Sequence, residues 1–406
     1  MLTTIVWDQS PELLQTGPFS LNWYGICFAM AFITALPIWY HMFAKAGKES
    51  IEAERLQRYI TLGVILGARL GHVFFYDWDY FKHHLIQIFL PVVFFPKFKI
   101  VGFTGLASHG ATIGIILAVF LYVKRIQISI SPFRIHLKNR RPAGELLWIF
   151  DHLVILVALG GVFIRIGNFM NSEIIGKPTQ GKYGVVFLRD IREDLYANHA
   201  SMIEKVMGKV ANSRPMPMPI KRNHQPIQLS ISFKDTIQDE EMVKNFLQGS
   251  LKNSLVRMSH SPEAMIYEQY GTPLSYTLTK HNGGYQAIVY TFGIPRHPSQ
   301  LYESFSCFLL FISLFLWWRK KGPVLAPGRM AGMFMVMLFT LRFFYEFYKE
   351  NQVAFENSMW LNMGQLLSLP CIVGGLWLLL RTVPRSKEKA SVHASGKGII
   401  TNKNVH

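Results

Sequence analysis

Ile164-Arg165-Ile166-Gly167-Asn168-Phe169-Met170-Asn171-Ser172-Glu173-Ile174-Ile175-Gly176 ends the apolar run 146–166 with an arginine, two asparagines and a carboxylate. A run of about 20 apolar residues crosses the roughly 30 Å hydrocarbon core of a bilayer as a helix. Read that way, the polar groups stand where the chain leaves the membrane. Such groups cost free energy there and are commonly kept for chemistry.

Outward from this point, comparable apolar runs occur near 20–41, 58–76, 104–123, 301–318, 330–348 and 363–381. The expected fold is therefore an all-α polytopic membrane protein of about seven transmembrane helices. The composition agrees: 50% of the 406 residues are hydrophobic and 17% are charged. With a mean hydropathy of +0.21, the chain is too apolar for an ordinary soluble domain.

The formal net charge is +17, and its distribution points to a lipid bilayer rather than nucleic acid. Lys45, Lys48, Arg55 and Arg58 follow the first span, and Lys124, Arg125, Arg134, Lys138, Arg140 and Arg141 follow the third. Arg319, Lys320, Lys321 and Arg329 join the fifth to the sixth, and Arg381, Arg385, Lys387, Lys389, Lys397 and Lys403 end the chain. Alternate loops are thus basic, and the positive-inside rule places them in the cytoplasm, with the N-terminus outside and the C-terminus in the cytoplasm. The first twenty residues hold no Lys or Arg, so the n-region of a cleavable signal peptide is missing and the first span is expected to stay.

The organisation expected is 1–176 for the first four spans, 177–295 for an extracytoplasmic insertion, 296–382 for the last three spans and 383–406 for a basic cytoplasmic tail. Long translocated loops escape the charge rule. Within the insertion, Ser213-Arg214-Pro215-Met216-Pro217-Met218-Pro219 reads as irregular. Ile227-Gln228-Leu229-Ser230-Ile231-Ser232-Phe233 alternates like a strand, which predicts a small α+β or β domain. The segment 86–95, broken by Pro91, is too short to span and reads as interfacial or re-entrant. Cys27, Cys307 and Cys371 all fall in apolar runs, so neither a disulfide framework nor a thiolate metal site is indicated.

Each ionisable side chain in a span costs roughly 2.5–3.5 kcal/mol on insertion scales. Arg69, Asp151, Arg165, Glu303, Arg342 and Glu346 carry that cost, with His72, His109 and His152 nearby. Under the topology above, Arg165, Asn168 and Glu173 stand at the outer end of the fourth span and His109 near the outer end of the third. Arg342 lies towards the outer end of the sixth, with Glu346 one turn on. Two guanidiniums near one outer cavity suit a phosphodiester, since the fork of donors fits phosphate oxygens and stays charged. The implied ligand is an anionic phospholipid. No metal or nucleotide motif is present, and no cofactor is expected.

Structural readings compete at several of these positions. Arg165 could pair with Asp151 or Glu346 to fix helix packing, and Arg342 could pair with Glu346 along its own helix. Asp151 and Arg69 divide evenly between packing and function. His109 could bond only a carbonyl, His297 could fix the turn before the fifth span, and Tyr24 could be an interfacial belt residue. At the level of the chain, inverted internal repeats or charged residues spread across the full membrane depth would favour a lipid or anion transporter; a scaffold would tolerate loss of the arginines.

The blocks Leu21-Asn22-Trp23-Tyr24-Gly25, Gly67-Ala68-Arg69-Leu70-Gly71, Ser108-His109-Gly110, Arg296-His297-Pro298-Ser299-Gln300-Leu301-Tyr302-Glu303 and Met363-Gly364-Gln365-Leu366-Leu367-Ser368 occur in that order around the Arg165–Gly176 run. Together they resemble the prolipoprotein diacylglyceryl transferase family, over most of the chain outside the insertion and tail. Arg165 to Gly176 matches its Arg-x-Gly-Asn-Phe-x-Asn-x-Glu-x-x-Gly signature. Ile164 stands where the family usually has Gly, and Leu338 where it has an aromatic residue.

The resemblance implies a bacterial inner-membrane enzyme with its active site towards the periplasmic leaflet. It would move the diacylglyceryl group of phosphatidylglycerol to the lipobox cysteine in the signal peptide of a prolipoprotein, forming a thioether and releasing glycerol phosphate. The catalytic residues expected are His109, Arg165 and Arg342, with His109 as base for the thiol. Phosphatidylglycerol would be bound by Arg165, Asn168, Asn171, Glu173, Tyr24, Arg69, Glu346 and His297.

Overall fold

A computed structural model describes residues 4–16, 19–89, 92–93, 99–100, 107–130, 133–142, 144–179, 183–211, 224–261, 263–281, 284–350, 356 and 358–381. Pro91, the stretch 213–219 and the tail 383–406 lie outside the described residues.

The chain is mostly helical, and among the described residues five helices are long and apolar enough to cross a membrane: Trp23–Lys45, Glu145–Met170, Ser299–Lys321, Arg329–Tyr348 and Met363–Leu380. Ser108–Val123 is apolar but has only 16 residues, about 24 Å of helix. Ser50–Phe75 is long enough at 26 residues but carries Glu52, Glu54, Arg55 and Arg58 in its first turns. These two pack on each other through stacked glycines. A Cβ added at Gly63 would come within 2.6 Å of the Gly114 carbonyl oxygen, one at Gly71 within 2.6 Å of Gly110 Cα, and Gly67 leaves no more room. Glycines at every fourth residue on both partners let the two backbones touch.

Helix Glu145–Met170 is the central member, packing against Trp23–Lys45, Ser108–Val123, Ser299–Lys321 and Arg329–Tyr345. Its inner face buries Ile149, Ile155 and Ala158, against Met42 and Phe43 of one neighbour and Leu310 and Leu314 of another. Large side chains such as Leu62, Ile113, Phe305 and Trp377 point outward, as hydrocarbon-facing positions do. Asp151 resolves as a packing residue: its carboxylate accepts from the backbone N–H groups of Gly328 (2.6 Å) and Ala331 (2.8 Å). It thus caps the open N-terminus of helix Arg329–Tyr345 from across the bundle. His152 is also engaged, its Nε2 3.2 Å from Trp318 Nε1.

The apolar segments are helical as expected, but strands Lys124–Ile130 and Phe133–Asn139 pair antiparallel between two of the helices, and 177–295 contains a sheet, as the alternation in 227–233 predicts. Strand Gly284–Gly293 pairs antiparallel with Gln225–Phe233 on one side and with Ile266–Tyr267 and Ser275–His281 on the other; Gln225–Phe233 pairs onward with Ile203–Val210. The expected alternation in 227–233 is present: Ile227, Leu229, Ile231 and Phe233 are all buried. They pack against Leu195 of helix Arg189–His199 and Leu251 and Leu255 of the helical stretch after Glu240.

The chain's first described strand also joins this head. Ile5–Trp7 pairs parallel with Val185–Phe187, and the Asp8 carboxylate accepts from Gly208 N (2.8 Å) and Arg192 (2.9 Å). Burial raises the Asp8 pKa, opposed by those two donors.

Candidate active site

The site forms where helix Glu145–Met170 runs into the head. Trp7 lies against Phe169 at 4.5 Å between ring centroids, with Phe187 at 5.8 Å, so one signature side chain is anchored in the head core. The helix stops at Asn171, whose N–H still bonds Gly167. Ser172 (φ 52°) and Ile174 (φ 57°) then take left-handed conformations, each unfavourable by about 1 kcal/mol or more for residues with a Cβ. The reversal brings Glu173 back beneath the helix end. Its carboxylate accepts from Asn168 Nδ2 (3.3 Å) and Asn171 Nδ2 (3.1 Å), and Arg189 of the head stands 3.9 Å away.

The strained turn is clamped by the Arg296–Glu303 block. Gln300 Nε2 donates to the Glu173 carbonyl (2.6 Å) and Ser299 Oγ to that of Ile174 (2.7 Å), while Gly176 N–H donates to the His297 carbonyl (3.0 Å). Gly176 has no space for more: a Cβ would lie 2.6 Å from that carbonyl oxygen and 2.8 Å from the Tyr348 oxygen. Two sequence blocks separated by the entire head are therefore one structural unit.

A line of alternating charges crosses the same region. Arg165 Nε is 2.6 Å from Glu303 Oε2. The other Glu303 oxygen pairs with Lys349 Nζ, which is also 3.6 Å from Glu346 Oε1. Arg342 Nε stands 3.8 Å from that same oxygen, and Asn362 Nδ2 donates to the other (3.2 Å). Glu303, Glu346 and Lys349 are nearly buried, whereas the Arg342 side chain is 43% exposed, which leaves its guanidinium open to a ligand. Three cations against two carboxylates leave an excess positive charge suited to an anion.

The expected site residues divide accordingly. Arg165, Asn168, Asn171, Glu173, Arg342 and Glu346 come together, linked through Glu303 and Lys349. Tyr24, at the start of helix Trp23–Lys45, packs over Gly167, where a Cβ would meet its ring at 2.9 Å. His297 lies at the edge, its Nδ1 3.3 Å from the Tyr302 hydroxyl and its ring against Tyr348; burial lowers its pKa and favours the neutral imidazole.

Two residues make contacts elsewhere. His109 is exposed, with Nε2 3.3 Å from the Tyr76 hydroxyl and its ring edge-on to Phe75, partners at the C-terminal end of helix Ser50–Phe75. Arg69 Nε and a terminal nitrogen donate to the carbonyls of Ile88 (2.9 Å) and Gln87 (2.6 Å), with its guanidinium 4.7 Å from the Phe81 ring, so it fastens the short helices after residue 77. Arg165 pairs with neither Asp151 nor Glu346, the partners expected from a packing role, but with Glu303. The expected Arg342–Glu346 proximity is present. Lys349 carried no sequence signal because it falls past the hydropathic span. Arg189 carried none because it sits on a head helix.

The fold and this site define a multi-pass membrane protein with an arginine–carboxylate cluster where the bundle meets its head. The profile described as prolipoprotein diacylglyceryl transferase matches residues 11–381, and the chain belongs to that family. A Tolumonas auensis protein named phosphatidylglycerol–prolipoprotein diacylglyceryl transferase is 28% identical over 386 residues, covering 95% of this chain and 99% of its own. A Bacteroides fragilis protein of the same name is 27% identical over 93% of this chain and 95% of its own. A third, from Protochlamydia amoebophila, is 31% identical over 81% of this chain and 56% of its own. Membrane-spanning helices and bacterial relatives make this a multi-pass bacterial membrane protein.

Proposed function

We propose that this protein transfers the diacylglyceryl group of phosphatidylglycerol to the thiol of a prolipoprotein lipobox cysteine. The sulfur forms a bond to the glycerol carbon that carries the phosphate, the carbon–oxygen bond to the phosphate breaks, the thiol proton leaves, and glycerol phosphate is released. The reaction is the first step of lipoprotein maturation. The observation that carries the reading is the Arg165–Glu303–Lys349–Glu346–Arg342 line beside the clamped signature turn.

In this reading, Arg342, the more open guanidinium, and Arg165 hold the lipid phosphate. Both stabilise the charge that grows on the departing oxygen, a contribution fixed in place before reaction. The carboxylates keep the guanidiniums apart and oriented. Glu173, steadied by Asn168 and Asn171, accepts from the headgroup hydroxyls, with Tyr24 and His297 completing the walls. A thiol of pKa about 8.5 is mostly protonated at neutral pH, and His109 is the base we assign to it. Its position on the neighbouring helix pair suits an approach by the peptide from that side. Arg69 acts indirectly, by holding the segment after residue 77.

The topology we propose has seven spans, the N-terminus and the 177–295 head outside, the 383–406 tail in the cytoplasm, and the site towards the outer leaflet of the inner membrane. Supporting it, the basic loops gather at one end of the bundle: Lys45 Nζ donates to the Arg319 carbonyl (3.2 Å) and Lys48 pairs with Glu145 (2.7 Å). The signature turn is at the opposite end of helix Glu145–Met170.

The test uses purified protein in phosphatidylglycerol micelles with a lipobox peptide. The peptide should gain a diacylglyceryl mass with wild type and not with folded Arg165→Ala or Arg342→Ala. Transfer that survives both substitutions would refute the phosphate assignment, and no transfer by folded wild type on any anionic lipid would refute the activity.

A further inference from the structure

A cationic cavity lies at the other end of the bundle. Its volume is about 240 Å³, and Arg55, Tyr59, Tyr122, Arg140 and Arg141 line it. Among the described residues no carboxylate lines it. Arg141 is fixed by Glu52 behind it, by the Tyr122 hydroxyl at 2.8 Å and by stacking over the Tyr122 ring at 4.9 Å. Tyr59 meets Tyr122 edge-on at 5.7 Å, so the two phenols form a rigid floor. Arg55 and Arg140 are exposed, and neither is in an ion pair among the described residues. Arg141 stands just before helix Glu145–Met170, and Arg165 is twenty residues after Glu145 on that helix, about 30 Å along its axis, so the cavity is separate from the charge line above.

We propose that this cavity binds a phosphate group. Three guanidiniums and phenolic hydroxyls are the donors that phosphate oxygens take in forked and single hydrogen bonds, and with Arg141 already paired to Glu52 the charges of Arg55 and Arg140 are left for an anion. The surroundings favour a lipid headgroup as the source. From Tyr59 the exposed side chains Leu62 and Leu66 run along one helix, and from Tyr122 the exposed Leu121, Leu117 and Ile113 run along the other. These give acyl chains an apolar path leading away from the arginines. Under the topology proposed above, the lipid belongs to the cytoplasmic leaflet and is not the reacting one. Its bound phosphate ties helices Ser50–Phe75 and Ser108–Val123 to the residues that lead into helix Glu145–Met170.

The full chain in uncharged detergent is titrated with phosphatidylglycerol and, separately, phosphatidylcholine, and bound lipids are counted by native mass spectrometry; calorimetry follows inorganic phosphate. Wild type should hold one more phosphatidylglycerol than Arg55→Gln/Arg140→Gln, with no such difference for phosphatidylcholine. Arg55→Lys/Arg140→Lys should recover part of it. Arg165→Ala should keep this equivalent, which separates the cavity from the site of transfer, and the double variant should retain transfer. Arginine-dependent binding of inorganic phosphate with unchanged lipid counts would assign the cavity to a soluble phosphate. Unchanged lipid counts together with no phosphate binding would overturn the proposal.

Discussion

Lys349 is the cation shared by the carboxylates beside Arg165 and Arg342. It is 7% exposed and sits between Glu303 and Glu346, the carboxylates that hold Arg165 and Arg342. Replacing it with Met removes the shared cation and leaves two nearly buried carboxylates in mutual repulsion. Breaking such a buried pair costs about 3–5 kcal/mol, and part of that loss is expected as displaced arginines. Lys349→Met should lower the transfer rate on the order of tenfold or more, about 1.4 kcal/mol in barrier, while Lys349→Arg keeps most of it. Rates for both variants at saturating lipid check this. An unaffected Lys349→Met rate would mean that the arginines are held without the bridge. Sequence hydropathy could raise the alarm over Arg165, Glu303, Arg342 and Glu346 because each sits in an apolar run. It could not reach Lys349, which lies just outside one, nor say that Asp151 caps a helix instead of pairing with Arg165.

Among elements, the pair Ser50–Phe75 and Ser108–Val123 is the least replaceable in its details. Neither is a full apolar span by length and composition, and they are joined by backbone contact at Gly63, Gly67, Gly71, Gly110 and Gly114. Gly67→Leu must push the helices apart, and overpacking of this kind costs about 1–3 kcal/mol before counting the lost contacts. Expected is a clear drop in the thermal unfolding temperature in detergent; at Gly160, where no atom lies within 4 Å of an added Cβ, Gly160→Ala should be nearly neutral. In the head, helix Arg189–His199 ends in an imidazole 2.8 Å from Ser254 Oγ, and burial lowers the His199 pKa. The folded head therefore binds a proton less readily than the unfolded chain, whose histidine titrates near about 6.5. The stabilisation is complete above that value and is lost as pH falls towards the folded pKa. Amide exchange in this helix, corrected for intrinsic rates, should quicken from about pH 7.5 to about pH 5.5. The quickening should be smaller in His199→Gln, and an equal response would assign it to other groups.

On the scale of the whole molecule, the head and bundle share their core at the site. Phe169 from the membrane helix and Trp7 from the N-terminal segment meet Phe187 of the head, and the chain enters and leaves the head through the clamped turn and the Arg296–Glu303 block. The head is therefore packed against the bundle at the site through shared aromatic contacts. Removing 190–290 deletes Arg189's helix and the sheet on which Val185–Phe187 and Ile5–Trp7 rest, so transfer should fall by at least tenfold. An assay with a lipobox peptide would reveal retained activity if the bundle alone holds the turn.

The sequence by itself determined the membrane character, the order of apolar segments, the basic and non-basic ends, and the residues of the signature. These are local properties: hydropathy, charge and spacing are written along the chain, and burial in lipid punishes each polar exception separately. The alternation in 227–233 likewise announced its strand. Only the tertiary structure decided which exceptions answer one another. Glu303 rather than Asp151 or Glu346 holds Arg165, Lys349 bridges the carboxylates beside the two arginines, residues 5–8 belong with the head, and Arg69 fastens the segment after residue 77. The physical reason is that pairing energy depends on distances between side chains far apart in sequence. Those distances are set by how helices with nearly featureless apolar faces pack, through stacked glycines and a carboxylate cap that no periodicity records.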